Sequence, residues 1–494
     1  MIKLYLLTVL ISSSFTGNAA AGLSASHAAF LKDLQPASFR SVTPEVSEPQ
    51  LKQITNDFPL VFAKSAGKLK IGINPNRELM YSILHLTEYS KTLRGGNMHP
   101  LAAAVLKKLG KFRDHPAVAE LDNGGRLNWK NGLRYDAFSE FPGYFSALPE
   151  GRRMHPYDDA FLDRVLRGMS KEEKVNYLDA YWEKVLDFYQ ASDYADFFRG
   201  NSELYRSYVD SVFERLPAGD PARLHEDYHG NYGFENFYVV PSPLNLPPGG
   251  SFGGRIGPSI FNFMGYGYSD ADAVKFLILH EFGHSFCNQA VSGHLGEAMK
   301  YGFLMQGISA EMGAQAYSGW ETVMYELLVR SVHARLTLKT EGEEAAELFL
   351  LREEHEHKFV FIRDFYALLA AYEQERGRYP TVNDFYPRLL AALGNWRLAE
   401  IEEPVATGLW TTGTVSGLNI DWADPEKYAY AYGLRAGDTV TEVDGVKPAA
   451  SFFLTLENGR TYRLTIRRRD GGAETMAFPV QSHKTLRPVR MEPR

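Results

Sequence analysis

The chain has 494 residues, 45% of them hydrophobic and 23% charged, with a formal net charge of -7. That length points to more than one domain, and the composition is that of a folded globular protein. Dispersed basic residues, outnumbered by acids, give no footprint for nucleic acid, and a lone cysteine, Cys287, excludes an intrachain disulfide.

Residues 1–21, MIKLYLLTVLISSSFTGNAAA, hold one lysine, an apolar run from Leu4 to about Phe15 and small residues ending at Ala21. This is the pattern of a secretory signal peptide cleaved after about Ala21, and the run is shorter than the roughly 20 residues a membrane span needs. The mature chain is therefore expected to be exported, periplasmic or extracellular, with no stable membrane span. Residues 22–49 read as an irregular start. LKIGINPNRELMYSILHLTEY, from Leu69 to Tyr89, reads as a strand, a turn at Asn74-Pro75-Asn76 and a helix with apolar Leu79, Ile83 and Leu86. Helices follow over Ala102–Phe112, Pro116–Leu121, Lys171–Tyr189 and Glu203–Leu216, with an aromatic stripe suited to a core. Between Phe234 and Met264 two short β-rich runs flank a Gly/Pro loop, LPPGGSFGGRI. These strands either present an edge to an extended peptide or cover the core as a hairpin.

Val274 to Asn288, VKFLILHEFGHSFCN, contains His280, Glu281 and His284 in the order His-Glu-x-x-His. Histidines four apart on a helix lie about 40° apart around its axis, so both imidazoles can meet one ion. Apolar residues surround them, and buried polar groups without partners cost several kcal/mol, which a metal offsets. Ser269 or Asp270 can cap this helix. Glu281 is placed to take a proton from water activated by a Zn2+ ion rather than to bind the ion. Cys287, three residues past His284, is a conceivable fourth ligand; a free buried cysteine is more often a small hydrophobe.

An open zinc site needs a third protein ligand. Trp320 to Leu338 reads as an amphipathic helix with apolar Val323, Leu327, Val332 and Leu336, and its acidic choices are Glu321 and Glu326. Glu326 is mid-helix, with Arg330 one turn on to orient its carboxylate. Glu326 is the chosen ligand; Glu321, or an exposed Glu326–Arg330 pair with no metal role, stands as the alternative. Tyr317, Tyr325, Arg330 and His333 are near enough in sequence to steady an oxyanion, with no choice among them.

The His-Glu-Phe-Gly-His helix, the Trp320-x5-Glu326-x2-Val329-Arg330 pattern and the Leu69–Tyr89 segment together resemble a family of secreted bacterial proteins catalogued as a domain of unknown function, itself similar to gluzincin metallopeptidases. The resemblance covers roughly Leu69 to Leu393. It implies His280, His284 and Glu326 as zinc ligands and Glu281 as the base, and leaves the substrate open.

Further helices are expected over Glu343–Leu369 and Phe385–Leu393; His355 and His357 lie on a charged face and read as solvated. Near Glu402 the composition shifts to short alternating runs. Tyr432–Val446, YGLRAGDTVTEVDGV, resembles the PDZ domains of bacterial proteases, with Gly417-Leu418-Asn419-Ile420 where a carboxylate-binding loop lies in that family. The stretch from Pro448 to Tyr462 is short for the groove helix. Thr461–Arg468 and Glu474–Val480 close a hairpin around Asp470-Gly471-Gly472.

The expected architecture is α+β: a signal peptide (1–21), a mostly helical zincin-like metallopeptidase domain with a short β-rich edge before the active-site helix (22–400) and a PDZ-like β-rich domain (401–494). The expected function is an exported zinc metallopeptidase acting on peptides or proteins, the PDZ-like part a site for a peptide C-terminus. The rival is an inactive envelope scaffold whose zinc only holds helices together; a carboxylate beside the ligands, as at Glu281, is superfluous in such a site.

Overall fold

A computed structural model describes residues 58–491 except 95–97, 129–131, 134, 217–219 and 268–270. The expected signal peptide and the candidate caps Ser269 and Asp270 lie outside the described residues. The structure is mixed helix and sheet with a β-rich C-terminal part. Contacts divide it into two compact units, with the division in sequence between Gln289 and Ala290. No described helix is long and apolar enough to cross a membrane.

The first unit is built on a five-stranded mixed sheet, ordered β1 (Val61–Ala66), β2 (Leu69–Ile73), β3 (Asn236–Pro241), β5 (Ser259–Met264), β4 (Ser251–Ile256). β2, β3 and β5 are parallel, whereas β1 and β4 run antiparallel on the two sides. The segment after β2 does not turn back; it enters helix α1 (Pro75–Leu86) directly. Asn74 caps it by accepting from the Arg77 amide at 2.8 Å, and Pro75 starts it without needing a hydrogen-bond partner.

Every residue of α1 from Asn76 to Leu86 is buried, the polar ones included. Buried polar groups need partners, and α1 finds many of them at the end of β3 and in the loop after it. Arg77 donates to the Val240 carbonyl (2.8 Å) and to Asn245 Oδ1 (2.7 Å), and His85 Nε2 bonds the Leu244 carbonyl (3.0 Å). Burial pushes the Glu78 carboxyl up to about 7 against the Ser242 hydroxyl, the charge of Arg77 and the Tyr205 hydroxyl. The loop so gripped delivers β4. Helices α2 (Pro100–Leu109), α3 (Pro116–Leu121), α4 (Lys171–Ala191), α5 (Ser202–Glu214) and α6 (Pro221–His229) pack the aromatic stripe inward, with Phe145 stacked on Trp182 at 3.9 Å. Helix α7 (Ala271–Gly293) follows the sheet.

β4 is a correction to the sequence reading, since it occupies the stretch read as a Gly/Pro loop. Glycine is depleted in strands, but Gly253 and Gly254 pair with Asn262 and Phe261 in register. The reason for glycine lies in a close approach: a Cβ on Gly253 would stand 3.0 Å from the Glu281 carbonyl oxygen. β4 ends the sheet, and the short helix Tyr135–Glu140 packs against it.

In the second unit, helix α8 (Trp320–Glu341) is followed by α9 (Glu343–His355), α10 (Ile362–Gln374) and α11 (Val382–Ala392). The sequence suggests an amphipathic α8; instead, all residues from Thr322 to Thr337 are buried. Apolar periodicity misses this because Glu326, Arg330, His333 and Arg335 are buried too. β6 (Trp396–Pro404) pairs antiparallel with β12 (Ser482–Arg490) along its whole length. Between these strands the chain forms a second sheet from β7 (Leu409–Thr414), β8 (Gly417–Ala423), β9 (Thr439–Val443), β10 (Thr461–Arg467) and β11 (Ala473–Pro479), all antiparallel, in the order β11-β10-β9-β8-β7.

The turn after β9 has Asp444 and Gly445 both at positive φ (+52° and +83°), the conformation an Asp-Gly hairpin needs, and the β10–β11 hairpin forms as expected. Between Pro448 and the start of β10 at Thr461 only one short 3-10 turn, Phe452–Leu454, is present. The Gly417–Ile420 stretch is a strand rather than a loop, and residues Leu418 and Asn419 pair with both β7 and β9, so neither flank there is open to an added strand.

Candidate metal centre

Helix α7 turns two imidazoles toward one point. His280 is fully buried, His284 half-buried, and their Nε2 atoms are 3.1 Å apart. One turn on, the Asn288 side-chain oxygen lies 3.1 Å from His284 Nδ1. An acceptor there fixes the proton on Nδ1 and leaves the Nε2 lone pair for an ion. His280 is packed flat against Phe276, ring centroids 5.3 Å apart.

Glu281, 1% exposed, projects from the next position toward β4, where its Oε2 would be 3.5 Å from a Cβ on Gly253. The strand is held at that distance by Asn262 of β5, whose Nδ2 donates to the Leu277 carbonyl of α7 (3.1 Å) while its Oδ1 accepts from Ser251 Oγ (2.8 Å). Gly253→Val should therefore destabilise the fold by about 1–3 kcal/mol, the usual range for overpacking. Urea unfolding measures it, and an unchanged midpoint would contradict the close approach.

In the second unit, Glu326 lies on α8 and is 2% exposed. Its Oε2 accepts from Arg330 Nε at 3.2 Å, and Arg330 is itself caged. Nη1 donates to Glu353 Oε2 (2.6 Å), Nη2 to the Tyr317 hydroxyl (3.1 Å), and the guanidinium covers the Phe359 ring at 4.6 Å. Glu353 also bonds His357 Nδ1 at 3.1 Å. Burial pushes the Glu353 carboxyl up, but Arg330 and then His357 outweigh it and hold it at about 2. Burial, and after it the Glu326 charge, keeps the Tyr317 hydroxyl protonated well past its ordinary range.

Among the described residues one group of three metal-ligating side chains converges, His280, His284 and Glu326, each offering an atom within 4.8 Å of the others. Two imidazoles and a carboxylate suit an ion such as zinc and leave a coordination position over for a substrate. This group can hold a metal ion. Glu321 is not in it; its Oε1 accepts from the Tyr325 hydroxyl at 3.2 Å, and that hydroxyl also meets Ser292 Oγ at 2.8 Å. Nor is Cys287, which is buried and whose thiol burial pushes well up. Of the possible oxyanion donors, Tyr317 and Arg330 are engaged with each other, Tyr325 with Ser292 and Glu321, and His333 lies against the Phe349 ring at 4.8 Å. Glu326→Ala should weaken metal binding by about an order of magnitude or more while Glu321→Ala leaves it nearly unchanged. Competition with a chelating dye reads this, and the reverse ranking would move the third ligand to Glu321.

The sequence reading missed two features. Glu353 and His357 sit in a run, REEHEH, that looks like a solvated face; in fact Glu353 is 2% exposed and His357 is half-buried against it, whereas His355 is exposed as expected. His-Glu-x-x-His also occurs a second time, at His225-Glu226-Asp227-Tyr228-His229 on α6. Among the described residues its histidines belong to no converging ligand group: both stack on Phe286, at 5.7 and 4.5 Å, and Glu226 pairs with Lys68. Burial holds the His225 imidazole neutral, down to about 3, against a bond to the Leu279 backbone. The spacing is the same; what differs, among the described residues, is a third ligand.

Residues 262–392 match the model of a family described as a domain of unknown function (DUF4932), a stretch that includes His280, His284 and Glu326. No protein of curated function matches the sequence. Among solved structures, the crystal structure of an aminopeptidase N family protein from Idiomarina loihiensis is similar at 11% identity with a TM-score of 0.21, over 58% of this chain and 65% of that one. This chain thus spans just under two thirds of that protein's length.

Proposed function

We propose that this protein is an exported zinc metallopeptidase in which His280, His284 and Glu326 hold the ion and Glu281 is the general base. The observation that carries the reading is the convergence of those three ligands beside a buried carboxylate that is not one of them. A metal serving only to hold helices together needs no such group. When bound, zinc supplies Lewis-acid polarisation of a water molecule and of the scissile carbonyl. Glu281 accepts the proton of the attacking water and passes it to the departing amine. Asn288 holds His284 in the tautomer that offers Nε2, and Arg330 orients Glu326. The substrate class is a peptide or protein.

The test is hydrolysis of casein by purified protein, abolished by a chelator and restored by zinc. Zinc-loaded protein that cleaves no peptide would favour the scaffold reading.

A further inference from the structure

Arg330 stands between two carboxylates and does not divide itself evenly. Its bond to Glu353 is 2.6 Å, whereas the one to Glu326 is 3.2 Å. All three side chains are at most 4% exposed, so water screens their charges little. Tyr317 also accepts from Arg330 but brings no charge.

We infer that Glu353 is a positioning residue for the metal centre: it occupies the Arg330 charge and so limits the hold of Arg330 on the Glu326 carboxylate, whose oxygens would bind the dication. The inference rests on the metal reading above. One guanidinium and two carboxylates sum to a single negative charge. Without Glu353, one guanidinium faces one carboxylate, the sum is zero, and Arg330 is free to close on both oxygens of Glu326, since paired N–H···O bonds are its preferred contact with a carboxylate. It would then compete with the ion for the same atoms. A residue that merely filled space around Arg330 would have no such effect.

Zinc affinity of the full-length protein, by competition with a chelating dye, separates these roles in five forms: wild type, Glu353→Gln, Tyr317→Phe, Arg330→Met and the double variant Glu353→Gln/Arg330→Met. Glu353→Gln keeps the shape and removes the charge, and should weaken zinc binding tenfold or more. Tyr317→Phe removes an Arg330 partner without changing charge and should stay within threefold of wild type. Arg330→Met removes the side chain that orients Glu326, so it is the reference for the double variant: if Glu353 acts through Arg330, the two should agree within threefold. A smaller loss in Glu353→Gln, an equal loss in Tyr317→Phe, or a double variant more than threefold weaker than Arg330→Met overturns the inference. Should Glu353→Gln fail to fold by circular dichroism, the comparison of the double variant with Arg330→Met decides: agreement within threefold supports the inference, and any larger loss overturns it. Wild-type protein that binds no zinc removes the metal reading itself, a result distinct from all of these.

Discussion

Glu281→Gln should keep its zinc and its melting temperature while turnover falls about 10²–10⁴-fold, the range a positioned general base supplies. The side chain is 1% exposed and turned toward Gly253 of β4, so glutamine, of nearly the same shape, fits the same space. It cannot accept the proton of the attacking water. Retained zinc separates this loss from damage to the metal centre, and retained stability separates it from damage to the fold. Undiminished turnover on any substrate that the wild type cleaves would remove Glu281 from the mechanism.

His280→Ala and His284→Ala should each leave the purified protein without zinc. Structural zinc sites bind with about 10–16 kcal/mol spread over four ligands, so one ligand carries about 2.5–4 kcal/mol, a factor of roughly 10²–10³ in affinity. His280 should show the full effect, since alanine also leaves a hole against the Phe276 ring. The second His-Glu-x-x-His offers a control within the same chain: His229→Phe keeps a ring stacked on Phe286 and should not alter zinc content. Elemental analysis of the three variants after zinc reconstitution decides this. Zinc retained by His280→Ala, or lost by His229→Phe, would place the ion elsewhere.

The parts legible in the sequence were those whose signal is local. The four-residue spacing of His280 and His284 is a helix-face signal, and Arg330 one turn after Glu326 marked the carboxylate on α8 that converges with them, because the pair lies within one turn. The β10–β11 hairpin announced itself through Asp470-Gly471-Gly472. What stayed hidden depends on residues far away in the chain. β4 reads as a loop because Gly253 and Gly254 have no strand preference, and their reason is the passage of Gly253 close to Glu281. Glu353 reads as solvated because nothing in REEHEH shows that a buried guanidinium meets it. β12 was missed because His483, Lys484, Arg487 and Pro488 give no apolar alternation; it is held by β6 along one side and by Arg487, which bonds the Gly307 carbonyl, Glu311 and Glu403. The pattern at His225–His229 shows the converse, a local signal that no third ligand among the described residues joins.

The central claim, that this is a zinc-dependent peptidase, is tested most directly by profiling cleavage of a peptide library with zinc-reconstituted wild type and Glu281→Gln side by side, reading new termini by mass spectrometry. The expected result is a defined set of products from the wild type that is absent from the variant and from wild type treated with chelator. No products from zinc-loaded wild type, or the same products from both proteins, would contradict it.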